Sequence, residues 1–282
     1  MAFDSAGMLP DCLAALRREG IPALVVDNAS RDGSAEIAGR FGARVVRLPR
    51  NEGYGRANNA GARASVADLV LVANPDVVLD PGAGAALLAA AARYPDAAVL
   101  APRIVEPDGR LFFQPRSLLA TVLRDPGKGS QAPEADCCAP FLSGACLLLR
   151  RGLFLGIGGF DERIFLFYED DDLCRRLTDG GHALVHVHDA IARHRRGRSS
   201  APAPGRVFAG RWHQAWSRAY VSAKYGLPSP APRMFALNAA KALAASLTFR
   251  RALVERYAGS AAGALAFLRG RTALGREGLD ER

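Results

Sequence analysis

The sequence lacks several features that would place it in a membrane-spanning or extracellular class. Its best apolar candidate, residues 234–249, is interrupted by Asn238 and Lys241, and no run reaches the roughly 20 apolar residues that span a bilayer. The five cysteines follow no framework of spacings, and no Cys/His set has metal-ligand spacing. No basic leader followed by an apolar run is visible. We therefore expect a cytoplasmic protein in a reducing compartment.

Acidic residues are scarce in the last third of the chain. From residue 190 to residue 282 there are 17 Lys and Arg against 4 Asp and Glu, and no acid lies between Ala190 and Val254. The whole chain carries a formal net charge of +9. Such a basic segment indicates an anionic partner: a membrane surface, a phosphorylated lipid or nucleic acid. Aromatic residues are not interleaved at stacking spacing, which argues against nucleic acid.

Apolar runs alternate with helical patterns in the first part of the chain. Runs typical of buried strands occupy residues 22–27, 43–48 and 67–74. This alternation predicts an α/β fold with a parallel sheet and crossover helices. Ligands of such sheets bind at the carboxyl ends of strands, where this chain carries Asp27, Asn74 and Asp76.

The pattern is looser after about residue 105. A hairpin turn is predicted at 106–111, a mobile loop at 124–136, strands at 141–151 and 183–192, and a linker at 197–206. Helix patterns follow at 206–226, 231–257 and 259–271. We therefore predict one domain over residues 1–200 and a basic helical C-terminal extension over 201–282.

Three short motifs could carry chemistry, although each also has a purely structural interpretation. Asp76 could hold a hard cation that neutralises a diphosphate leaving group, but Asn-Pro-Asp is also good turn chemistry. Asp27 could accept hydrogen bonds from a nucleotide base, and Arg56 could meet a phosphate. The glycine-rich segment around Arg56 lacks dinucleotide or P-loop spacing. His194 is one of four histidines in residues 182–194, so spacing alone assigns it no role.

Four consecutive acids, Glu169 to Asp172, follow the aromatic-rich segment 165–168. Acids in the first turn of a helix are favoured by the helix macrodipole. An apolar wall beside a carboxylate raises its pKa, which suits a general base. Asp172 and Arg176 have the spacing of an i, i+4 ion pair. The stretch is therefore compatible with both a capped helix and a catalytic base.

The order of these motifs resembles the family 2 glycosyltransferases of the GT-A fold, especially bacterial rhamnosyltransferase-like members. The resemblance runs from about Phe3 to Ser199. It rests on "VVDNASRDGS", "NEGYGRANNAG", "NPDV", "FLSGACLLLRR", "IGGFDERIFLFYEDDDLCRR" and "HRRGRS". It implies a mixed sheet flanked by helices. It also implies inverting transfer of a sugar, with dTDP-rhamnose the expected donor, to a lipid-linked or polysaccharide acceptor.

The resemblance further implies roles for individual residues. Asp170 would be the catalytic base, supported by Glu169 and Asp172, whereas Asp171 is expected to face water. A divalent cation, Mg²⁺ or Mn²⁺, would be held by Asp76 and His194. The donor side would comprise Phe3, Asp27, Arg56, Asn74 and Asp76. The acceptor side would comprise Ser143, Gly144, Gly158, Gly159, Asp161 and Asp172.

Two further expectations concern the first residues and the partners. Family members open with a full first strand, whereas "MAFDS" resembles only the end of one. We therefore expect about ten further apolar-rich residues upstream, or else a gap or a substitute in the sheet. The C-terminal helices are expected to contact an anionic membrane surface on its inner face, or a second copy of the chain.

Two alternatives to a glycosyltransferase remain open at this point. A nucleotidyltransferase shares the sheet and the metal carboxylate, but it needs no base poised over an acceptor hydroxyl. The acidic stretch at 169–172 therefore argues against it. The other alternative is an inactive or truncated paralogue that acts as a binding protein.

Overall fold

The computed structural model describes residues 1–113, 117–119, 133–195 and 203–279. Strands in this part are β1 (Leu24–Asp27), β2 (Arg44–Arg47), β3 (Leu69–Ala73), β4 (Val77–Leu79), β5 (Ala97–Val105), β6 (Leu111–Phe112), β7 (Cys137–Cys138), β8 (Cys146–Arg150) and β9 (Ala183–His194). The helices are α1 (Leu9–Arg18), α2 (Ser34–Arg40), α3 (Tyr54–Ala64), α4 (Ala83–Arg93), α5 (Arg151–Gly156), α6 (Glu169–Asp179), α7 (Arg206–Lys224), α8 (Ala231–Leu247), α9 (Arg251–Leu268) and α10 (Ala273–Arg276). The predicted loop at 124–136 and the predicted linker at 197–206 lie largely outside the described residues.

The α/β prediction is confirmed, but the large sheet is mixed rather than parallel throughout. Its order is β3-β8-β5-β9-β4, with β6 added to β5 and β7 added to β9. Strands β5 and β9 are parallel, whereas β8 runs antiparallel to both β3 and β5. The alternation of strands and helices indicates crossovers only, so it could not show the reversed direction of β8. The mixed sheet agrees with the family resemblance.

The core of the large sheet is built on β5, whose residues are buried at every position except Arg103. Helix α4 packs against it through small and apolar side chains such as Leu87 and Ala90. Arg150, at the end of β8, donates to the carbonyl oxygens of Ala91 and Tyr94. Ala91 lies in the last turn of α4 and Tyr94 directly follows the helix, where carbonyl oxygens have no partner within the helix. The sheet and helix are thereby fixed to each other.

The first residues contribute one isolated bridge rather than a strand. The amide of Ala2 donates to the carbonyl oxygen of Val26 at 2.8 Å, and the carbonyl oxygen of Ala2 accepts from Asn28 at 2.8 Å. Apart from this bridge, β1 pairs with β2 alone, and β3 is the terminal strand of the large sheet as described. Both strands line a cavity of about 450 Å³. Whether further residues precede this segment stays a prediction.

The described chain forms two compact units. The first comprises residues 1–52, 56–160 and 170–195, and the second comprises residues 53–55, 161–169 and 203–279. Two short segments from before residue 200 thus belong with the C-terminal helices. The predicted division at residue 200 stays a prediction.

Within the second unit, helices α7 and α9 approach closely through glycine. A Cβ atom at Gly259 would lie 2.4 Å from the carbonyl oxygen of Phe208, and one at Gly263 would lie 2.1 Å from that of Trp212. Only glycine permits such backbone proximity. No helix in the described ranges is long and apolar enough to cross a membrane.

Helix boundaries differ from the sequence predictions in two places. The predicted helix over 231–257 ends at Leu247, because Phe249 adopts a left-handed backbone with φ of 54°. The next helix then begins at Arg251 rather than at residue 259. Helix α1 was not predicted, although Leu9, Cys12 and Leu13 form one buried face.

Candidate active site

Asp76 and His194 are brought together by strand pairing. Asp76 lies in the turn between β3 and β4, and His194 is the last residue of β9. Val77 of β4 pairs with His194, and the Arg195 amide donates to the Asp76 carbonyl oxygen at 3.0 Å. These contacts place His194 Nε2 3.4 Å from Asp76 Oδ1, with the Asp76 side chain wholly buried. The predicted pair is therefore adjacent in the structure.

The chemistry of this pair fits a hard divalent cation. Among the described residues no group of three or more His, Cys, Asp or Glu side chains could hold a metal. Asp76 and His194 supply one carboxylate and one imidazole. Mg²⁺ commonly takes only one or two protein carboxylates and completes its shell with substrate phosphates and water. Two protein ligands beside a diphosphate are therefore a chemically reasonable set.

Asn74 and the segment 143–145 connect the turn of Asp76 to α6. The Asn74 amide donates to the carbonyl oxygen of Ala145 at 2.9 Å. Ser143 Oγ accepts from the Ala145 amide at 3.3 Å, and the Gly144 amide donates to Asp170 Oδ2 at 2.9 Å. The loop at 143–145 thus binds both Asn74, which is predicted for the donor side, and Asp170, which is the predicted base.

Asp170 is held in the environment that a carboxylate base needs. Its two oxygens accept from the amides of Gly144 and Asp171, the latter at 3.1 Å. Burial raises the pKa of Asp170, and the two hydrogen bonds oppose that rise in part. The residue as a whole is half-buried. A raised pKa favours proton abstraction by a carboxylate near neutral pH.

The expectation that Asp171 faces water is wrong. Asp171 is only 8% exposed, and Ser117 Oγ donates a hydrogen bond to its Oδ1. Burial, followed by repulsion from Asp170, raises the pKa of Asp171 to about 7. Because Ser117 comes from a distant part of the chain, helical periodicity gave no sign of this contact.

Asp172 forms the predicted ion pair with Arg176, with Nε 2.8 Å from Oδ2. The Asp172 side chain is fully buried. The Arg176 guanidinium also donates to the carbonyl oxygens of Ile157 at 3.0 Å and Gly159 at 2.6 Å. Asp172 therefore orients the arginine that holds the turn at Gly158 and Gly159.

The glycine turn has a second anchor that sequence analysis missed. Asn59 exchanges two hydrogen bonds with the backbone of Phe160, accepting from its amide at 2.8 Å and donating to its carbonyl oxygen at 2.9 Å. Gly159 has φ of 71°, and a Cβ there would lie 2.4 Å from Asn59 Oδ1. Gly158 has φ of 88° and nothing within 4 Å of such an atom. Both positions therefore favour glycine because of their positive φ. At Gly159 a side chain would in addition clash with Asn59.

The predicted donor side begins at the end of β1. Asp27 is 4% exposed, and its Oδ1 accepts from the Ser30 amide at 3.2 Å. Phe3 follows the Ala2 bridge to Asp27 and is half-buried, with its amide donating to Ser5 Oγ at 3.1 Å. Asp27 therefore lies at the carboxyl end of β1, as predicted, and Phe3 lies close to it; donor binding by both stays a prediction.

Asn28 is a further residue that sequence analysis missed at this strand end. Its Nδ2 donates to Asn51 Oδ1 at 2.8 Å, and its Oδ1 accepts from the Glu52 amide at 2.8 Å. Arg56 lies in the first turn of α3, shortly after this segment. The position of Asn28 directly after the strand-end residue Asp27 is the sequence signal that could have identified it.

Two predicted residues, Asp161 and Glu169, belong to the second unit. Asp161 Oδ2 accepts from Tyr220 Oη at 2.8 Å and from Lys224 Nζ at 2.7 Å. Burial alone would raise the pKa of Asp161, but these hydrogen bonds and the Lys224 charge hold it below its usual value. Glu169 is buried and is the first residue of α6. Asp161 is thus engaged by the protein itself, and the acceptor-side role for it stays a prediction.

Comparisons with known proteins identify the family of the chain. Residues 1–158 match the family model described as Glycosyl transferase family 2. The chain is 33% identical over 266 residues to the N-acetylglucosaminyl-diphospho-decaprenol L-rhamnosyltransferase of Mycobacterium tuberculosis (strain CDC 1551 / Oshkosh), covering 83% of this chain and 85% of that protein. It is 26% identical over 164 residues to the low-salt glycan biosynthesis hexosyltransferase Agl10 of Haloferax volcanii, covering 54% of this chain and 52% of that protein.

A solved structure shares the fold. The structure of GalNAc-T7 with UDP, GalNAc and Mn²⁺ superposes with a TM-score of 0.54 at 15% identity, over 79% of this chain and 49% of that one. Since the family model matches more than half of the chain and the mycobacterial relative aligns over most of it, the chain belongs to glycosyl transferase family 2, as a rhamnosyltransferase-like glycosyltransferase of the GT-A fold.

Proposed function

We propose that the protein transfers L-rhamnose from dTDP-rhamnose to a lipid-linked sugar diphosphate, with inversion at the anomeric carbon. The rhamnosyl group and the lipid-linked acceptor are supported by the mycobacterial rhamnosyltransferase, which aligns with 83% of this chain. The choice of dTDP as the donor nucleotide rests on the family resemblance. The chemistry is supported above all by Asp170, a carboxylate with a burial-raised pKa that two backbone amides hold in place. The family match favours glycosyl transfer over nucleotidyl transfer.

In the proposed reaction Asp170 takes the proton from the acceptor hydroxyl. The hydroxyl oxygen attacks the anomeric carbon of the donor while the bond from that carbon to the diphosphate breaks. A positioned carboxylate base contributes typically about 10²–10⁴-fold to such a step. Asp171 does not touch the acceptor in this scheme.

On the donor side, Asp27 accepts hydrogen bonds from the base, with Phe3 beside it. Asp76 and His194 are the residues that would hold a divalent cation. When bound, that cation neutralises charge on the departing diphosphate. Arg176 and Asp172 keep the Gly158–Gly159 turn in place on the acceptor side.

A lipid-linked acceptor requires the enzyme to work at a membrane surface. The basic C-terminal helices suit peripheral attachment to an anionic bilayer, which we propose as the location of the enzyme. Association of two copies through these helices stays a prediction.

Donor and acceptor are tested together by product analysis. Purified protein is incubated with dTDP-rhamnose and a short-chain polyprenyl-diphosphate N-acetylglucosamine, and the product is identified by mass spectrometry. Matched reactions contain UDP-glucose or UDP-N-acetylglucosamine in place of the donor. We expect rhamnosyl product from dTDP-rhamnose alone. Transfer from a UDP-sugar without transfer from dTDP-rhamnose would overturn the donor assignment and leave the glycosyltransferase assignment intact.

A further inference from the structure

The turn between α8 and α9 exposes large apolar side chains. Leu243 and Leu247 lie one turn apart on α8 and are 65% and 74% exposed. Phe249, in the turn itself, is 91% exposed. Three such side chains at one end of a helical hairpin form an apolar tip, defined here as Leu243, Leu247 and Phe249. Three large exposed apolar side chains this close together in the chain indicate an interaction site.

The backbone conformation at Phe249 is unfavourable for a bulky side chain. Helix α8 ends in a Schellman motif, in which the Phe249 amide donates to Ser246 and the Arg250 amide donates to Ala245. Phe249 occupies the left-handed position of that motif, with φ of 54°, where glycine is usual. A bulky residue there adds strain and, at 91% exposure, gains little packing in return. Its presence points to a role outside the folded chain.

The charges around the tip are of one sign. Arg250 and Arg251 follow Phe249 directly and are exposed, and Lys241 is exposed on α8. The next acid along the chain is Glu255, and none precedes it back to Asp189. Arg251 also starts α9, where the helix macrodipole disfavours a cation. An anionic partner would reduce the repulsion among these positive charges.

We propose that this apolar tip enters the surface of an anionic bilayer, with Arg250 and Arg251 at the level of the lipid phosphates. The proposal deepens the proposed membrane location and rests on it. Apolar side chains flanked by arginine match the two parts of a bilayer interface, which has acyl chains below and negative headgroups above. A soluble protein partner would need a complementary apolar cleft but would not require the run of positive charge.

The test is sedimentation of the full chain with phosphatidylcholine vesicles, with and without phosphatidylglycerol. We expect binding to the anionic vesicles that weakens with salt. Phe249→Gly combined with Leu247→Ser should lower the partition coefficient by at least about tenfold, since each side chain loses its apolar burial. Arg250→Ser with Arg251→Ser should lower it on anionic vesicles only. The matched control is Val66→Ser with Leu88→Ser, which removes two exposed apolar side chains of the first unit, 94% and 54% exposed.

Folding and catalysis are followed separately. Phe249→Gly alone should keep or raise the melting temperature, because glycine accepts the left-handed backbone without strain. Transfer to a water-soluble acceptor analogue should be unchanged in every tip variant, so loss of the proposed function and loss of membrane binding are distinguishable. Equal sedimentation of parent and tip variants would overturn the proposal. So would a concentration-dependent dimer that the tip variants abolish while vesicle binding persists, since the tip would then be an interface between copies.

Discussion

Replacement of Asp170 by asparagine distinguishes two possible roles of this residue, a catalytic base and a helix cap. The change keeps the size of the side chain and removes its basicity. In the structure the two Asp170 oxygens accept from two different amides. Asparagine offers one oxygen, so one amide loses its partner at a cost of about 1–3 kcal/mol. Removing a partly buried charge offsets some of this cost, and we expect the free energy of unfolding to stay within about 2 kcal/mol of the parent.

The effect on transfer should be larger than the effect on stability. Loss of a general base slows the chemical step by about 10²–10⁴-fold, which corresponds to roughly 3–5 kcal/mol in the activation free energy. The assay is the rate of product formation at saturating donor, measured together with the melting temperature and with the thermal shift that the donor causes. Donor binding should survive, because the role proposed for Asp170 is to take the proton of the acceptor.

The matched control is Asp179→Asn, in the last turn of the same helix. Asp179 is exposed and pairs with Arg175 at 2.7 Å. Exposed pairs of this kind contribute about 0.2–1 kcal/mol, so neither turnover nor melting temperature should change much. If Asp170→Asn keeps near-normal turnover while its donor-induced thermal shift is intact, Asp170 is not the base.

Three further predictions concern the neighbouring groups. Asp171 has its pKa raised to about 7, so the folded protein binds that proton more tightly than the unfolded chain, and stability falls as pH rises from about 4 to about 7. Compared with the parent, Asp171→Asn should therefore raise the melting temperature at pH 8 and change it little at pH 4.5, and equal effects at the two pH values would contradict the burial argument. Asp76→Ala should abolish the extra thermal shift that Mn²⁺ or Mg²⁺ adds to dTDP, whereas unchanged metal-dependent affinity by calorimetry would exclude Asp76 as a ligand. Gly159→Ala should lower the melting temperature clearly more than Gly158→Ala, because only the former meets Asn59 in addition to backbone strain, and equal effects would refute the steric argument.

Several features of the fold could be predicted from the sequence, because they depend on neighbours in the chain. The strands that became β1, β2 and β3 are short runs rich in β-branched apolar residues and bounded by turn residues, a local pattern that indicates strands. The ion pair of Asp172 and Arg176 follows from helical spacing. The hairpin at 106–111 follows from its turn residues, and β5 and β6 pair around it. The order of motifs was sufficient to indicate the family, which the comparisons confirm.

Other features depended on contacts between residues far apart in the chain. Helix α8 shows the limit of periodicity: its apolar pattern continues to residue 257, but a left-handed residue at Phe249 ends the helix ten residues earlier. The direction of β8 depends on its partners in the sheet, and no local pattern encodes it.

The four acids at 169–172 show which properties the sequence determines and which depend on the fold. Their composition alone indicated a helix start with carboxylates, and the structure has α6 begin at Glu169. Which acid faces water was decided by tertiary contacts: Gly144 binds Asp170, and Ser117, 54 residues away from Asp171, buries it. Likewise, the pairing of β4 with β9 carries His194 to Asp76. Burial and pKa are properties of the surrounding protein, and so they arise only when distant segments have packed.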